Sequence, residues 1–161
     1  VIRPARPEDA AAIAAIWNPW IRDTAVTFTT EEKTVAGLQA LIEAREPTRA
    51  FLVTETKDGV QGFATYGQFR AGPGYARSLE HSILLAPTAR GQGLGQALMA
   101  ALTDSARAQG GHVLIGGVSG ENPDGAAFHA AMGFTLIARV PEVGFKFGRY
   151  MDLLLYQKIL T

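Results

Sequence analysis

Arg90-Gly91-Gln92-Gly93-Leu94-Gly95 decides how the chain is read. It follows a strand-like run, Leu79 to Leu85, and precedes a helix-like run, Leu94 to Gln109. Glycines at 91, 93 and 95 allow a tight turn and let a ligand come close to the backbone. The first four N–H groups of a helix lack partners within it, and the helix dipole adds about half a positive charge there. Such an end accepts phosphate oxygens. Arg90 adds a planar cation suited to the same anion. Two familiar phosphate loops fail the test. In G-x-G-x-x-G, Gly91 and Gly93 fit, but the third place holds Gln96. A P-loop would continue Gly-Lys-Ser/Thr, whereas Gln96 and Ala97 follow Gly95. What remains is R-x-x-G-x-G, and its plainest alternative is a glycine-rich turn that only starts a helix.

Outward from this loop, the pattern resolves into alternating elements. Leu94, Leu98, Ala101, Leu102 and Ala106 give the following helix one apolar stripe, ended by Gly110-Gly111. His112 to Val118 reads as a strand, so strand, loop, helix and strand imply a parallel pair at the centre of a sheet. Asn122 to Met132 is a helix closed by Gly133, and Phe134 to Val140 and Tyr150 to Ile159 are the last strands. Pro141 to Arg149 reads as a linker between them. Upstream, Ala50 to Thr56 and Val60 to Phe69 form a hairpin around Lys57-Asp58-Gly59, with Gly62 a bulge point. Arg70 to Arg77 is a loop. Before these lie a short strand, Ile2 to Ala5, and a helix opened by Pro7-Glu8-Asp9. Pro19 should kink or break that helix, and Trp17 and Trp20 read as core. Thr34 to Arg45 is a second helix with Val35, Leu38, Leu41 and Ile42 on one face. No boundary or repeat divides residues 1–161, so the expectation is one α/β domain: a mixed sheet of about seven strands with helices on both faces.

Composition excludes several classes of function. The formal net charge is zero, so no broad electrostatic footprint calls for nucleic acid or an anionic membrane. With no cysteine, disulfides, thiolate metal sites and a cysteine nucleophile are all absent. The three histidines lie far apart without ligand spacing, and no metal is expected. No apolar run approaches the roughly 20 residues that span a bilayer. Val1-Ile2-Arg3-Pro4 does not read as a secretion signal, so a cytoplasmic protein is expected.

The order of elements and the loop together resemble the GCN5-related N-acetyltransferases (GNAT), and the resemblance covers nearly the whole chain. Within that superfamily it is nearest to the phosphinothricin and methionine sulfoximine N-acetyltransferases. The residues that carry it are Thr24 to Phe28, Glu80-His81-Ser82, Asn122, Phe128-His129, Gly133-Phe134 and the stretch Val143 to Asp152. The resemblance implies acetyl-CoA as co-substrate. It implies that main-chain groups of Ile83, Leu84 and Leu85 pair with the pantetheine arm. Arg90, Gly91, Gln92, Gly93, Leu94, Gly95 and Gln96 would hold the pyrophosphate, and Asn122 the pantetheine region. Phe28, Arg70, Tyr75, Glu80 and His81 would line the acceptor pocket, with His129 close to the sulfur. It also implies a homodimer. Some phosphinothricin enzymes have a histidine after the lysine of the late glycine-flanked stretch. Here Phe147 takes that place, which favours the methionine sulfoximine branch.

Acetyl transfer to an amine needs a neutral nitrogen, and hence a base. A carboxylate in a partly apolar site has the raised pKa that suits the task, and Glu80 is the candidate. Its alternative is a surface ion pair on a strand. The Leu85 amide is a candidate donor to a developing oxyanion. His129 either supplies a proton to the departing thiolate or packs near the cofactor, and His81 either orients Glu80 or binds substrate. Arg70 has the planar fork that grips a carboxylate, or is a solvated loop residue. The expected reaction is direct transfer, in a ternary complex, to a small amino acid analogue: methionine sulfoximine, methionine sulfone or phosphinothricin. A protein or peptide acceptor, a non-catalytic acyl-CoA sensor and a dinucleotide module are the alternatives.

Overall fold

The computed structural model describes all 161 residues, Val1–Thr161. Its elements follow in the expected order. They are β1 (Ile2–Pro4), α1 (Ala10–Asp23), α2 (Val35–Arg45), β2 (Phe51–Thr56), β3 (Gly59–Gln68) and β4 (Ser78–Leu85). After these come α3 (Leu94–Ala108), β5 (Val113–Ser119), α4 (Pro123–Ala131), β6 (Thr135–Lys146) and β7 (Arg149–Ile159). The seven strands form one sheet in the order β1-β2-β3-β4-β5-β7-β6. Only β4 and β5 run parallel, as the crossover through the glycine loop requires.

Helices cover both faces, each over its own core. On one face α1 and α2 bury Ile13, Trp17, Ile21, Leu38 and Ile42 against Phe51, Val53 and Phe63. On the other, Leu98, Met99, Leu102 and Ala106 of α3 lie against Leu52, Ala64, Leu79 and Leu114. Leu98 and Leu102 are fully buried, each worth about 2 kcal/mol of removed apolar surface. The membrane expectation has one structural counterpart: no helix is long and apolar enough to cross a bilayer.

Four readings of the sequence need correction. Pro19 does not break α1, which runs through it to Asp23. Proline removes one hydrogen bond at a cost of about 3 kcal/mol, and the burial of Trp17 before it and Ile21 after it offsets that loss. Trp20 is not core; it is half-buried and turns its indole toward β4. Val35 is exposed, leaving Leu38 and Ile42 as the buried residues of α2. Pro141 to Arg149 is not a linker. β6 continues through it to Lys146 after an irregularity between Val140 and Gly144, and turns into β7 at Phe147-Gly148. Both turn residues have positive φ, 53° and 74°, the geometry of a two-residue hairpin with primed twist. A proline and two glycines therefore mark a bulge and a turn here, not a connection between elements.

Candidate active site

β4 and β5 pair only from Ser78↔Val113 to His81↔Gly116, and then part. Beyond that point β4 bonds to β3 alone and β5 to β7 alone. The opening is a cleft of about 500 Å³. Register decides which main-chain groups face it. The Ala86 amide donates to Gln61 and the Phe69 amide to the Ser78 carbonyl, so even-numbered residues of β4 spend their backbone groups on β3. Odd-numbered residues face β5. For Ile83 and Leu85 there is no strand opposite, so their N–H groups point into the cleft. The Leu85 carbonyl accepts from the Trp20 indole N–H at 3.2 Å, while Leu84 is tied to β3.

The glycine loop closes one end of this opening. Gly91 and Gly93 take φ of 78° and 73°, and open space lies where a Cβ would stand. α3 begins at Leu94, and no amide from Gly91 to Gln96 donates to a protein acceptor. These are the uncovered donors that a phosphate needs. Arg90 leans toward the Trp20 ring, 6.0 Å from its centroid, with Asp124 3.9 Å away. Asn122 caps α4, its side chain accepting from the Gly125 amide at 3.0 Å, and it lines the cleft. An extended arm ending in a pyrophosphate fits these donors and this open strand edge.

Strand alternation sends Glu80 and His81 to opposite faces. Glu80 lies on the α1/α2 face, its carboxylate close over Gly117 of β5, where a Cβ would be 3.4 Å from Oε2. No hydrogen bond and no cation within 4 Å engages it; burial by the surrounding walls pushes its carboxyl above the ordinary range. His81 lies on the α3/α4 face and is buried. Its Nε2 is 2.9 Å from Nε2 of His129, whose Nδ1 is 2.8 Å from the Gly125 carbonyl. A carbonyl only accepts, so His129 carries its proton on Nδ1. His129 Nε2 then offers a lone pair, and His81 must donate from Nε2. The His81 Nδ1 is left as a buried lone pair with no partner. Burial, helped by His129, pushes the His81 pKa down to about 3, and burial lowers that of His129 as well. The pair rests neutral.

The roof of the cleft on the Glu80 side is the segment after α1. Val26, Thr27, Phe28 and Thr29 line it. Two distant contacts hold this segment. The buried Lys146 donates to the carbonyls of Thr24 and Thr27, both at 2.7 Å. Gly144 lies under the Phe28 ring, where a Cβ would come within 2.6 Å. Asn18 and Lys33 add a reciprocal pair, at 3.0 and 2.7 Å. The late glycine-flanked stretch thus acts at the site by seating Phe28. Phe147 sits at the tip of the β6–β7 turn, outside the lining of the cleft.

The structure brings Phe28, Glu80, His81, Ile83, Leu84, Leu85, Arg90, Gly95, Asn122 and His129 around one cleft. Arg70 and Tyr75 are not among its walls; they stack on each other, 5.6 Å from guanidinium to ring, in an exposed loop. Trp20, Gly117 and Ser119 join the walls without having been singled out. A tryptophan beyond a helix proline was the one available signal. A second cavity of about 330 Å³ opens beside Glu80, lined by Arg45, Thr65, Gly67, Gln68 and Ser82.

The chain is similar to known acetyltransferases over nearly its whole length. Residues 2–155 match the family model for the acetyltransferase (GNAT) domain. The chain is 37% identical to the L-amino acid N-acyltransferase MnaT of Escherichia coli, over 97% of this chain and 91% of that protein. It is 36% identical to an L-methionine sulfoximine/L-methionine sulfone acetyltransferase of Salmonella typhimurium, over 97% and 92%. Among solved structures, the acetyltransferase yncA of Salmonella typhimurium, determined with its cofactor acetyl-CoA, superposes with a TM-score of 0.95. It is 36% identical and the match covers 100% of this chain and 94% of that one.

Proposed function

The chain belongs to the GNAT family and is an acetyl-CoA-dependent N-acetyltransferase, and from that premise we propose that its acceptor is the α-amino group of a small amino acid analogue of the methionine sulfoximine, methionine sulfone or phosphinothricin type. One observation carries the proposal. Glu80 is an unpaired carboxylate with a raised pKa, at the point where β4 and β5 part. A base so placed takes the proton from an ammonium group entering under Phe28, and near-neutral operation suits a raised pKa.

Acetyl-CoA supplies the activated acetyl group. The chain's own residues supply position and proton transfer. The loop amides from Gly91 to Gln96 and Arg90 hold the pyrophosphate, and the Ile83 and Leu85 backbone with Asn122 holds the arm. The Leu85 N–H is a free donor facing the reacting region, suited to a developing oxyanion. His129 is the proton donor on the far wall. At rest its one proton, on Nδ1, is bonded to the Gly125 carbonyl and its Nε2 accepts from His81, so it gives a proton from Nε2 only after first taking one up at that atom. With no cysteine in the chain an acetyl-cysteine intermediate is excluded, and the proposal is direct transfer in a ternary complex, aided by proximity.

The same proposal includes a homodimer. Leu136, Ile137, Val143, Phe145, Phe147 and Tyr150 are large, apolar and exposed on the β6–β7 hairpin at the sheet edge. A patch of that kind is a usual site of association. Equilibrium sedimentation at the monomer mass would remove this part.

Release of CoA thiol with a panel of amines tests the acceptor. The panel holds methionine sulfoximine, methionine sulfone, phosphinothricin, ordinary amino acids and a short peptide. Turnover with the sulfoximine or sulfone supports the proposal. Turnover with the peptide alone replaces the small acceptor, and tight acetyl-CoA binding without any turnover replaces the catalytic role itself.

A further inference from the structure

We propose that Arg45 binds the α-carboxylate of the acceptor, so that the polar cavity beside Glu80 is a zwitterion site that selects free amino acids over peptide N-termini. The inference deepens the acceptor assignment above and rests on it.

Arg45 is the last residue of α2 and reaches over the sheet toward β3 and β4. Its Nη1 donates to the Thr65 hydroxyl at 2.5 Å, and no carboxylate lies within 4 Å of it. The other donors of the guanidinium are not spent on protein acceptors. A half-buried guanidinium left without an anion is costly to hold unless something else supplies one. Burial lowers its pKa, which is the mark of a charge short of compensation. The cavity it faces has no hydrophobic residue in its lining.

The floor of the cavity is shaped for this side chain. A Cβ at Gly67 would stand 2.7 Å from Nη2, so any larger residue there would displace the guanidinium. Gly67 pairs with Glu80 across β3 and β4. Arg45 and Glu80 therefore flank one space without touching each other. A planar cation and a free carboxylate, side by side across neighbouring strands, match the two charges of an α-amino acid. The ammonium group meets Glu80 and the carboxylate meets the fork of Arg45. The side chain of the acceptor is then directed into the larger cleft, toward Trp20 and Phe28. A peptide N-terminus brings an amide where the carboxylate should be, leaving the guanidinium uncompensated. Arg70 is less suited to this work, since it lies on an exposed loop and lines neither cavity.

The test compares L-methionine sulfone with its carboxamide, on wild type, Arg45→Gln and Arg45→Lys. Arg45→Gln should raise KM for the acid by about 10- to 100-fold, the worth of a hydrogen-bonded charge pair. KM for the carboxamide and for acetyl-CoA should stay within about twofold, and Arg45→Lys should fall between, because it keeps charge but loses the fork. Both acceptors are read on one preparation, so any loss of folded protein cancels in their ratio. A factor that is equal for acid and carboxamide overturns the proposal. If the wild type acetylates neither, the acceptor assignment fails and calorimetric titration of the sulfone into CoA-loaded protein decides the site. Binding weakened in Arg45→Gln sustains the carboxylate site, while unchanged binding, or none to the wild type, overturns it.

Discussion

On one face of β4 the Glu80 carboxylate has no partner and its pKa is raised. One residue later, on the other face, His81 is buried, neutral and bonded to His129. Both residues border the same cleft. They differ because a strand turns successive side chains to opposite sides, and the two sides carry different covers. Over Glu80 lie a loop, a polar cavity and the end of α2; over His81 lie α3, α4 and the main core. The contrast separates a carboxylate left open in a cleft from an imidazole buried in the core. His81 spends its proton inside the fold, whereas Glu80 keeps its lone pairs for a ligand.

The contrast breaks first at Glu80. Glu80→Gln should lower kcat/KM by about 10²- to 10⁴-fold, the usual worth of a general base, with KM for acetyl-CoA unchanged. Wild-type kcat/KM should rise with pH on an acid limb lying above the ordinary carboxylate range, and that limb should vanish in the variant. A variant that keeps most of its activity would reduce Glu80 to a spectator.

The roof on the same side gives the next effect. Lys146→Met keeps the apolar stem but leaves the Thr24 and Thr27 carbonyls without their donor. Stability should fall by about 1–3 kcal/mol in urea denaturation. KM for the acceptor should rise more than KM for acetyl-CoA, because the loosened segment carries Phe28. Equal changes in the two would mean that the lysine serves only the fold.

On the His81 side the expected effect is on stability. His129→Leu strands the His81 Nε2 proton and should cost about 1–3 kcal/mol. The double variant His81→Leu/His129→Leu should regain part of that, since replacing both partners removes the unmet donor. Recovery of stability without recovery of kcat would separate the packing of the pair from proton transfer by His129.

A further effect is in the pH dependence of stability, and the two faces should have opposite signs. His81 falls to about 3 in the folded state, below its ordinary 6.5. The unfolded chain therefore binds the proton first as pH falls, and this share of stability, present above about pH 6.5, is lost toward pH 3. His81→Leu should flatten that slope by at most about 1.4 kcal/mol per pH unit. Glu80 is raised, so its share is present at low pH and is lost as pH rises through its folded pKa. Glu80→Gln should therefore steady the protein slightly at neutral pH, at the expense of the reaction.

The order of all eleven elements and the placing of the glycine loop were legible because they rest on short-range physics: alternation, helical period and glycine at positive φ. Glu80 stood out only through its place beside that loop together with the family resemblance, since by composition alone an acid on a strand reads as a surface ion pair. Pro19 misled because its local cost is real, but buried Trp17 and Ile21 outweigh it. Pro141 to Arg149 misled because a bulge, a turn and a linker share one composition.

The sequence by itself determined the strand that faces both ways, the loop with uncovered amides and the family to which they belong. Only the tertiary structure decided which distant residues meet them. Lys146 seats a segment about 120 positions away, His81 finds His129 over Gly116 of β5, and Arg45 reaches Glu80's neighbour Gly67 from the end of α2. Such meetings depend on the order and register of strands in the sheet, which no local pattern encodes. A carboxylate is therefore recognisable from its place in a strand, but whether it is free or paired depends on what the rest of the chain folds against it.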